Sequence, residues 1–363
     1  MNYYRSIILT VLAALLIAIA GCAGSASQQP LPDHRFSANE FDRLRTKRPA
    51  FPLPSSSIDR DLFDRYHGFY RLNTDNRTHV IGWVPTSDGY IFLQGWEHNQ
   101  TSSEPAGNIL LLHGYLEHSG NLETVINHLG STRLNIYAMD LPGHGLSSGE
   151  RGWIRDFSVY ANTLKQVLQH LDSATDAPLI LLGHSTGGAA ILEYLYTIDQ
   201  HSSEIDQKPI WPDSIILLAP LVRSTFWTLS RFGAQISEPL PINTIPSSRR
   251  AGTENPYYLE LADADPLRVQ QTSLDWVRAL VRWDEKNQTY GSLPIQSLIL
   301  QGTADRVLDW RYNLEYLEKR LPNADISIIQ GGHHNLHQDT SSVIHHILQQ
   351  ISTAVTYESV SAD

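Results

Sequence analysis

Residues 178–192 read PLILLGHSTGGAAIL and join a strongly apolar run to a turn of small residues and a second apolar run. The first run has the composition of a buried β-strand, and the second continues with the spacing of an apolar helix face. Between them, Gly183-His184-Ser185-Thr186-Gly187 fits the pattern G-x-S-x-G, in which glycine permits a sharp backbone reversal. An ordinary glycine-rich turn is the alternative, but the strand and helix on either side favour an exposed nucleophile. The stretch therefore predicts a strand–turn–helix unit that presents the Ser185 hydroxyl.

Apolar runs of the same kind recur on both sides of this unit, each followed by turn residues. With residues 178–182 they make six candidate strands, the others being residues 108–112, 135–140, 214–219, 296–300 and 325–329. Continuous apolar strands that alternate with helical segments are typical of a parallel sheet buried on both faces. Residues 80–83 and 90–96 flank the turn Ser87-Asp88-Gly89 and predict an antiparallel hairpin at the sheet edge. The sequence therefore predicts an α/β fold with a mostly parallel central sheet.

A serine hydroxyl is a weak nucleophile unless a histidine and an acid support it. Asp305 follows the fifth parallel strand, and His333 and His334 follow the last one. These positions reproduce the chain order serine, acid, histidine, and they lie at the carboxyl ends of strands, where parallel sheets carry their sites. Spacing alone does not separate His333 from His334.

Composition excludes several other classes of protein. The chain has 363 residues, 41% of them apolar, and a formal charge of −11 from 27 Lys and Arg against 38 Asp and Glu. The apolar content is sufficient for a large core, and the negative charge argues against a nucleic-acid partner, which requires clustered basic residues. The single cysteine excludes an intramolecular disulfide framework and a thiolate-rich metal site.

That cysteine, Cys22, directly follows the most apolar stretch of the chain. Arg5 precedes an apolar run over residues 7–20, which is shorter than the ~20 residues of a spanning helix and has the length of a signal-peptide core. The run ends in Ile-Ala-Gly-Cys, which resembles the lipobox of bacterial lipoproteins. The resemblance implies a signal peptide over residues 1–21, lipidation of Cys22 and, since Ala23 follows, the outer membrane of a Gram-negative bacterium. A plain secretory signal and an uncleaved anchor are the alternatives.

Residues 22–57 are polar and interrupted by five prolines, which predicts a tether with at most one helical turn near residues 41–44. A single catalytic domain is expected over residues 58–355. Residues 221–292 interrupt its strand–helix alternation and predict a helical cap insertion. Within the insertion, Trp276, Leu280 and Trp283 follow helical spacing. Their stripe is interpreted as core packing, as the lining of an acyl-chain pocket, or as a membrane-contacting face.

Four segments of the chain resemble the α/β-hydrolases of the monoacylglycerol lipase and lysophospholipase type, a group related to the serine aminopeptidase S33 enzymes. The segments are residues 113–120 (HGYLEHSG), 140–152 (DLPGHGLSSGERG), 183–188 (GHSTGG) and 302–307 (GTADRV). The resemblance extends from about residue 82 to 350. It implies an α/β-hydrolase fold, with helices on both faces of the sheet and a cap above it.

The resemblance also implies a role for each matching residue. Ser185 is the nucleophile and Asp305 the acid, and the motif H-E-L-x-x-E sets the register in which His334 is the base. The backbone amides of Tyr115 and Thr186 correspond to the oxyanion hole. The chain departs from the motif at Asn335, where the family usually has glutamate, which puts the local hydrogen bonding in doubt.

Together these features predict a serine hydrolase that cleaves carboxylic esters of monoacyl lipids, such as lysophospholipids or monoacylglycerols. The alternatives are acyl transfer or hydrolysis of a small peptide or amide with the same residues, and a non-catalytic lipoprotein. We expect no cofactor, no metal and no obligate protein partner. His113 and His144 are interpreted as supports for nearby loops, and His184 as an unspecific position of the turn.

Overall fold

The computed structural model describes residues 35–73, 77–98, 105–172, 177–200, 209–238, 243–247 and 252–361. The predicted signal peptide over residues 1–21 and the predicted lipidation site at Cys22 lie outside the described residues. Among the residues described, no helix combines enough length with enough apolarity to cross a bilayer.

A nine-stranded sheet forms the centre of the described chain, in the order β1-β2-β3-β5-β4-β6-β7-β10-β11. Its strands are β1 (Leu53–Pro54), β2 (Arg77–Thr86), β3 (Gly89–His98), β4 (Gly107–Leu112), β5 (Leu134–Met139), β6 (Leu179–His184), β7 (Ser214–Leu218), β10 (Gln296–Gly302) and β11 (Ala324–Ile329). The six strands β4 to β7, β10 and β11 are parallel, and β1 to β3 add an antiparallel edge. This sheet confirms the predicted mostly parallel α/β fold and the edge hairpin.

Helices cover both faces of the sheet because its strands are apolar on both sides. One face packs against α4 (Ser158–Asp172), α5 (Thr186–Gln200) and α9 (Trp310–Arg320), and the other against α2 (Ser55–Tyr70), α3 (Glu123–Leu129) and α10 (Ser341–Ser361). Along β4, Leu110 and Leu112 point to the first face, whereas Ile109 and Leu111 point to the second. Alternate residues of one strand therefore belong to two separate apolar cores.

The structure differs from the predicted tether over residues 35–57. A 3₁₀ turn (Ala38–Phe41) leads into the short helix α1 (Asp42–Lys47), and β1 then pairs with β2. Phe41 is fully buried, and Leu44 and Phe51 are 6% exposed. A few apolar anchors among polar residues and prolines are thus sufficient to attach this segment to the catalytic domain, and composition alone did not indicate it.

In the described part of the interruption between β7 and β10 there are three helices and a small antiparallel pair of strands. They are α6 (Trp227–Ser237), β8 (Thr244–Pro246), α7 (Pro256–Ala264), β9 (Gln271–Ser273) and α8 (Leu274–Asn287). The stripe of Trp276, Leu280 and Trp283 lies on α8 and is buried in the apolar core shared with α4 and α5. Because these side chains are at most 6% exposed, the interpretation as a membrane-contacting face was wrong.

Candidate active site

Ser185 lies in the sharp turn between β6 and α5. Its φ is +49°, a left-handed conformation that is strained for a residue with a side chain. The turn requires glycine on either side, since a Cβ on Gly187 would lie 2.3 Å from the Leu112 carbonyl oxygen, and one on Gly183 would lie 2.5 Å from the Gly188 nitrogen. The Ser185 amide donates to the Leu218 carbonyl at 2.9 Å, which fixes the turn against the neighbouring strand β7.

His334 connects Ser185 to Asp305, although the three residues come from separate loops. The His334 Nε2 atom is 3.0 Å from the Ser185 hydroxyl, and its Nδ1 atom is 2.9 Å from the Asp305 carboxylate. All three side chains are less than a tenth exposed. The structure therefore brings together the three residues that the sequence nominated, with hydrogen-bond contact between each neighbouring pair.

The loop after β10 holds the Asp305 carboxylate in its ionised form. One carboxylate oxygen accepts the backbone amides of Val307 and Leu308 at 2.8 and 3.0 Å, and the other accepts the Gln301 side-chain amide at 3.2 Å. Burial alone raises the pKa of Asp305, but the adjacent His334 and these amides outweigh it, so the pKa is lowered below its ordinary value. An ionised carboxylate at this point fixes the tautomer of His334 with the proton on Nδ1.

The adjacent histidine, His333, faces a different acid. Its Nδ1 atom lies 3.1 Å from Asp339, and its backbone amide donates to the same carboxylate at 2.6 Å. Neither contact involves Ser185 or Asp305. The structure thus distinguishes two histidines that spacing alone left equivalent.

The two residues nominated for the oxyanion hole lie at the start of α5 and in the loop after β4. Thr186 is the first residue of α5, where backbone N–H groups have no acceptor within the helix. Tyr115 follows β4, and its hydroxyl donates to the Gly152 carbonyl at 2.7 Å and accepts the Ser273 amide at 3.0 Å. Its ring stacks on Trp276 at 3.9 Å between centroids. The Tyr115 side chain therefore joins the loop after β4 to the insertion.

A sequence profile described as Serine aminopeptidase, S33 matches residues 103–341, which is most of the chain and includes all of this site. The chain belongs to the S33 family. The human monoglyceride lipase is 30% identical over 293 residues, which cover 76% of this chain and 90% of the human protein. Phospholipase YtpA of Bacillus subtilis is 28% identical over 218 residues, which cover 57% of this chain and 79% of that protein.

Solved structures agree on the fold of this S33 hydrolase. A soluble variant of monoglyceride lipase from Saccharomyces cerevisiae, solved with a substrate analogue, superposes with a TM-score of 0.66. It is 17% identical, and the superposition covers 79% of this chain and 97% of that one. With the family match and the curated relatives, this likeness identifies an α/β-hydrolase of the monoacylglycerol lipase type that acts as a serine carboxylic ester hydrolase.

A second buried layer of polar residues lies behind His334 in this S33 hydrolase, and sequence reasoning missed it. His184 bridges the Glu117 carboxylate at 3.0 Å and the His334 carbonyl oxygen at 3.2 Å. Glu117 also accepts the Gly114 amide at 3.0 Å and the Asn335 side-chain amide at 2.9 Å. The interpretation of His184 as an unspecific position was therefore wrong. Glu117 lies within the quoted HGYLEHSG segment, so the motif contained the signal.

This layer keeps a negative charge on the buried Glu117 carboxylate. Burial raises the pKa of Glu117, but His184, His337 and Arg268 outweigh it, and the pKa is held well below its ordinary value. Asn335 supplies the donor at the position where the family motif has an acid. A glutamate at position 335 would place a second carboxylate against Glu117. The asparagine of this chain donates a hydrogen bond instead, so the contact with Glu117 is favourable.

Glu117, His184 and His337 offer three ligand atoms within 4.8 Å of one another, all buried. Glutamate and histidine are ligand types that zinc accepts. Both oxygens of Glu117, however, already accept hydrogen bonds from Gly114, His184 and Asn335. This arrangement fits a structural role for the cluster better than coordination of an ion.

Proposed function

We propose that this S33 hydrolase cleaves carboxylic esters of monoacyl lipids, with monoacylglycerols and lysophospholipids as the substrate class. The observation that supports it most directly is the contact of His334 with both Ser185 and Asp305. Two relatives are named monoglyceride lipase and phospholipase, and these names favour a lipid ester as the substrate.

In the proposed reaction each of these side chains has its own role. The Ser185 hydroxyl attacks the ester carbonyl and its proton passes to His334 Nε2, while Asp305 stays ionised against Nδ1. The amides of Tyr115 and Thr186 donate to the oxyanion, and each such donor contributes about 3–4 kcal/mol to the transition state. His334 then protonates the departing alcohol, and water attacks the acyl-Ser185 ester by the same route.

A substrate panel separates the candidate reactions. Purified protein is assayed with monoacylglycerol, lysophosphatidylcholine, triacylglycerol and an amino-acid anilide, with Ser185→Ala as the control. We expect release of fatty acid from one or both monoacyl lipids to exceed hydrolysis of triacylglycerol and anilide. Preferential cleavage of the anilide favours the peptide or amide alternative, and acyl products formed with an added alcohol favour acyl transfer. No Ser185-dependent product of any kind favours the non-catalytic lipoprotein.

We also propose that the enzyme acts at a membrane to which Cys22 attaches it by lipidation after removal of residues 1–21, in the outer membrane of a Gram-negative bacterium. The lipobox-like sequence supports this, because several acyl chains on one cysteine give a firm anchor. Phe226 and Phe232 of the insertion are 69% and 54% exposed and offer apolar contacts to lipid.

Fractionation of cells that express the full chain tests the anchor. Cys22→Ser should move the protein from the outer-membrane fraction to the soluble fraction, and the wild type should carry an acylated Cys22 at its new N-terminus. An uncleaved, unacylated protein that stays in the membrane contradicts lipidation and favours a signal anchor.

A further inference from the structure

A cleft of about 330 Å³ lies on the chain away from Ser185, between the N-terminal segment, the loop after β5 and the start of the residues that lead to β9. We call it the arginine cleft, because Arg45, Arg48 and Arg151 line it together with Trp83, Ser148 and Pro266. Its size is at the lower end of the range for small-molecule sites, about 300–1,000 Å³. None of its lining residues belongs to the candidate active site.

Among the described residues, the three arginines of the arginine cleft have only one carboxylate partner at ion-pair distance. Within the described parts of the chain, Arg45 pairs with Asp42 at 3.3 Å, and the Asp42 side chain is 62% exposed; neither Arg48 nor Arg151 forms an ion pair there. Arg45 and Arg151 both donate to one neutral acceptor, the Gly145 carbonyl, at 3.0 and 2.9 Å. Burial lowers the pKa of Arg151 and the charge of Arg45 lowers it further, whereas the buried carboxylates of Asp140 and Asp265 raise it. Two cations are therefore held close together on one neutral acceptor, and Asp140 and Asp265 offset part of their charge.

The three guanidinium groups are also held in place. Arg45 contacts the Ala38 and Gly145 carbonyls, and Arg151 contacts the Gly145 and Leu267 carbonyls. Arg48 lies over the Tyr90 ring at 4.3 Å. These contacts use only part of the five N–H donors of each guanidinium, so donors remain for a ligand. Arginines ordered in advance lose less side-chain entropy when they bind an anion with several oxygens.

We propose that the arginine cleft binds a phosphate-bearing anion with a small polar group attached, of the size of a glycerol phosphate. Three guanidinium groups match the several oxygens of a phosphate better than the two of a carboxylate. The source is either a soluble phosphate ester or the headgroup of an anionic phospholipid. Arg45 and Arg48 lie outside residues 103–341, which match the family profile, so the site depends on the N-terminal segment of this chain.

Calorimetric binding to the full chain in detergent tests the proposal at constant ionic strength. The probes are inorganic phosphate, glycerol 3-phosphate and dihexanoyl phosphatidylglycerol below its micelle concentration. The wild type should bind at least one of them saturably at one site. Arg48→Glu, which among the described residues removes no side-chain hydrogen bond but only the contact with the Tyr90 ring, and Arg45→Gln should each weaken binding about tenfold or more. Arg43→Gln is the matched control, because Arg43 is exposed on the same helix and does not line the cleft.

Tighter binding of the phosphatidylglycerol identifies a lipid headgroup, and tighter binding of glycerol 3-phosphate or phosphate identifies a soluble ester. Absence of saturable binding up to about 10 mM, or equal binding by the wild type, Arg48→Glu and Arg43→Gln, overturns the proposal. Ester hydrolysis by Arg48→Glu with a soluble short-chain ester should equal that of the wild type. Phosphate binding at the arginine cleft can therefore fail while the ester hydrolase function stands. Equally, the hydrolase function can fail while the cleft still binds phosphate.

Discussion

His334 and His333 are adjacent in the chain, but each contacts a different carboxylate. The Asp305 contact places the His334 ring against the Ser185 hydroxyl, whereas the Asp339 contact turns His333 away from it. We predict that His334→Ala lowers kcat for ester hydrolysis by about a thousandfold or more, because the hydroxyl loses its proton acceptor. His333→Ala should keep kcat within about threefold of the wild type. Steady-state kinetics on a soluble ester measures both, and the reverse order of effects contradicts the assignment.

Asn335 allows a negative charge to remain buried behind His334. Asn335→Asp removes the donor to Glu117 and places two carboxylates in contact, which should raise the pKa of Glu117 and lower the free energy of unfolding by about 2–4 kcal/mol. Urea unfolding at pH 7 measures the loss.

The double variant Glu117→Gln, Asn335→Asp provides the control for that prediction. The new glutamine amide can donate to Asp at 335 while its oxygen keeps the contacts to Gly114 and His184. The double variant should therefore recover most of the stability lost by Asn335→Asp. Additive losses from the two substitutions contradict a direct contact.

At the scale of elements, the N-terminal segment contributes to the folded domain through a few buried anchors. Phe41 is fully buried next to Phe63 and Tyr66 of α2, with ring centroids about 6 Å apart. We predict that Phe41→Ala lowers the free energy of unfolding by about 3–5 kcal/mol, because it removes a large core side chain and leaves a cavity. Urea unfolding of the full chain measures it.

Phe232 of α6 is the matched control, because its side chain is 54% exposed. Phe232→Ala should change the free energy of unfolding by less than about 0.5 kcal/mol. Equal effects of the two substitutions would mean that the segment is a tether without a part in the domain.

At the scale of the whole molecule, several histidines are buried in their uncharged form. A low pH favours their protonated form and therefore opposes their burial. Burial lowers the pKa of six described histidines from 6.5: to about 4 for His67, to about 3 for His113, His144 and His337, well below 6.5 for His79, and in the same direction for His128. Between these values and 6.5 the unfolded chain binds protons that the folded chain does not, so stability falls as pH falls. Glu123 acts in the opposite direction, because burial raises its pKa to about 8.

The histidines outnumber Glu123 and Glu97, the two glutamates whose pKa burial raises, so unfolding near pH 5.5 takes up a net of about three protons. We predict that the free energy of unfolding decreases by up to about 4 kcal/mol per pH unit as the pH falls from 6.5 to 5. Urea midpoints measured at half-unit steps from pH 8 to 5 test this. A midpoint that stays constant or rises toward pH 5 contradicts it.

Sequence alone predicted the parallel strands to within about two residues, because continuous apolar runs between turn residues have few other interpretations. It also nominated Ser185 and Asp305, since chain order and position after a strand restrict the choice. His334 required the register of a family motif in addition.

The features that sequence reasoning missed depend on long-range contacts. Phe41 is a single apolar residue in a polar stretch, and only the fold supplies the partners that bury it. His184 occupies a variable position of its motif, and its role depends on Glu117 and on the carbonyl of His334, which lie 67 and 150 residues away in the chain. The Trp276 stripe had the correct helical spacing, but spacing does not tell which surface a helix face meets.

Covalent labelling of Ser185 tests the central claim most directly. Intact-mass and peptide analysis of the full chain after reaction with a fluorophosphonate should show one adduct, located on Ser185. Ser185→Ala should remain unlabelled, His334→Ala should label at least about a hundredfold more slowly, and the exposed control Ser342→Ala should label like the wild type. An unlabelled wild type, or labelling that persists in Ser185→Ala, would contradict the account.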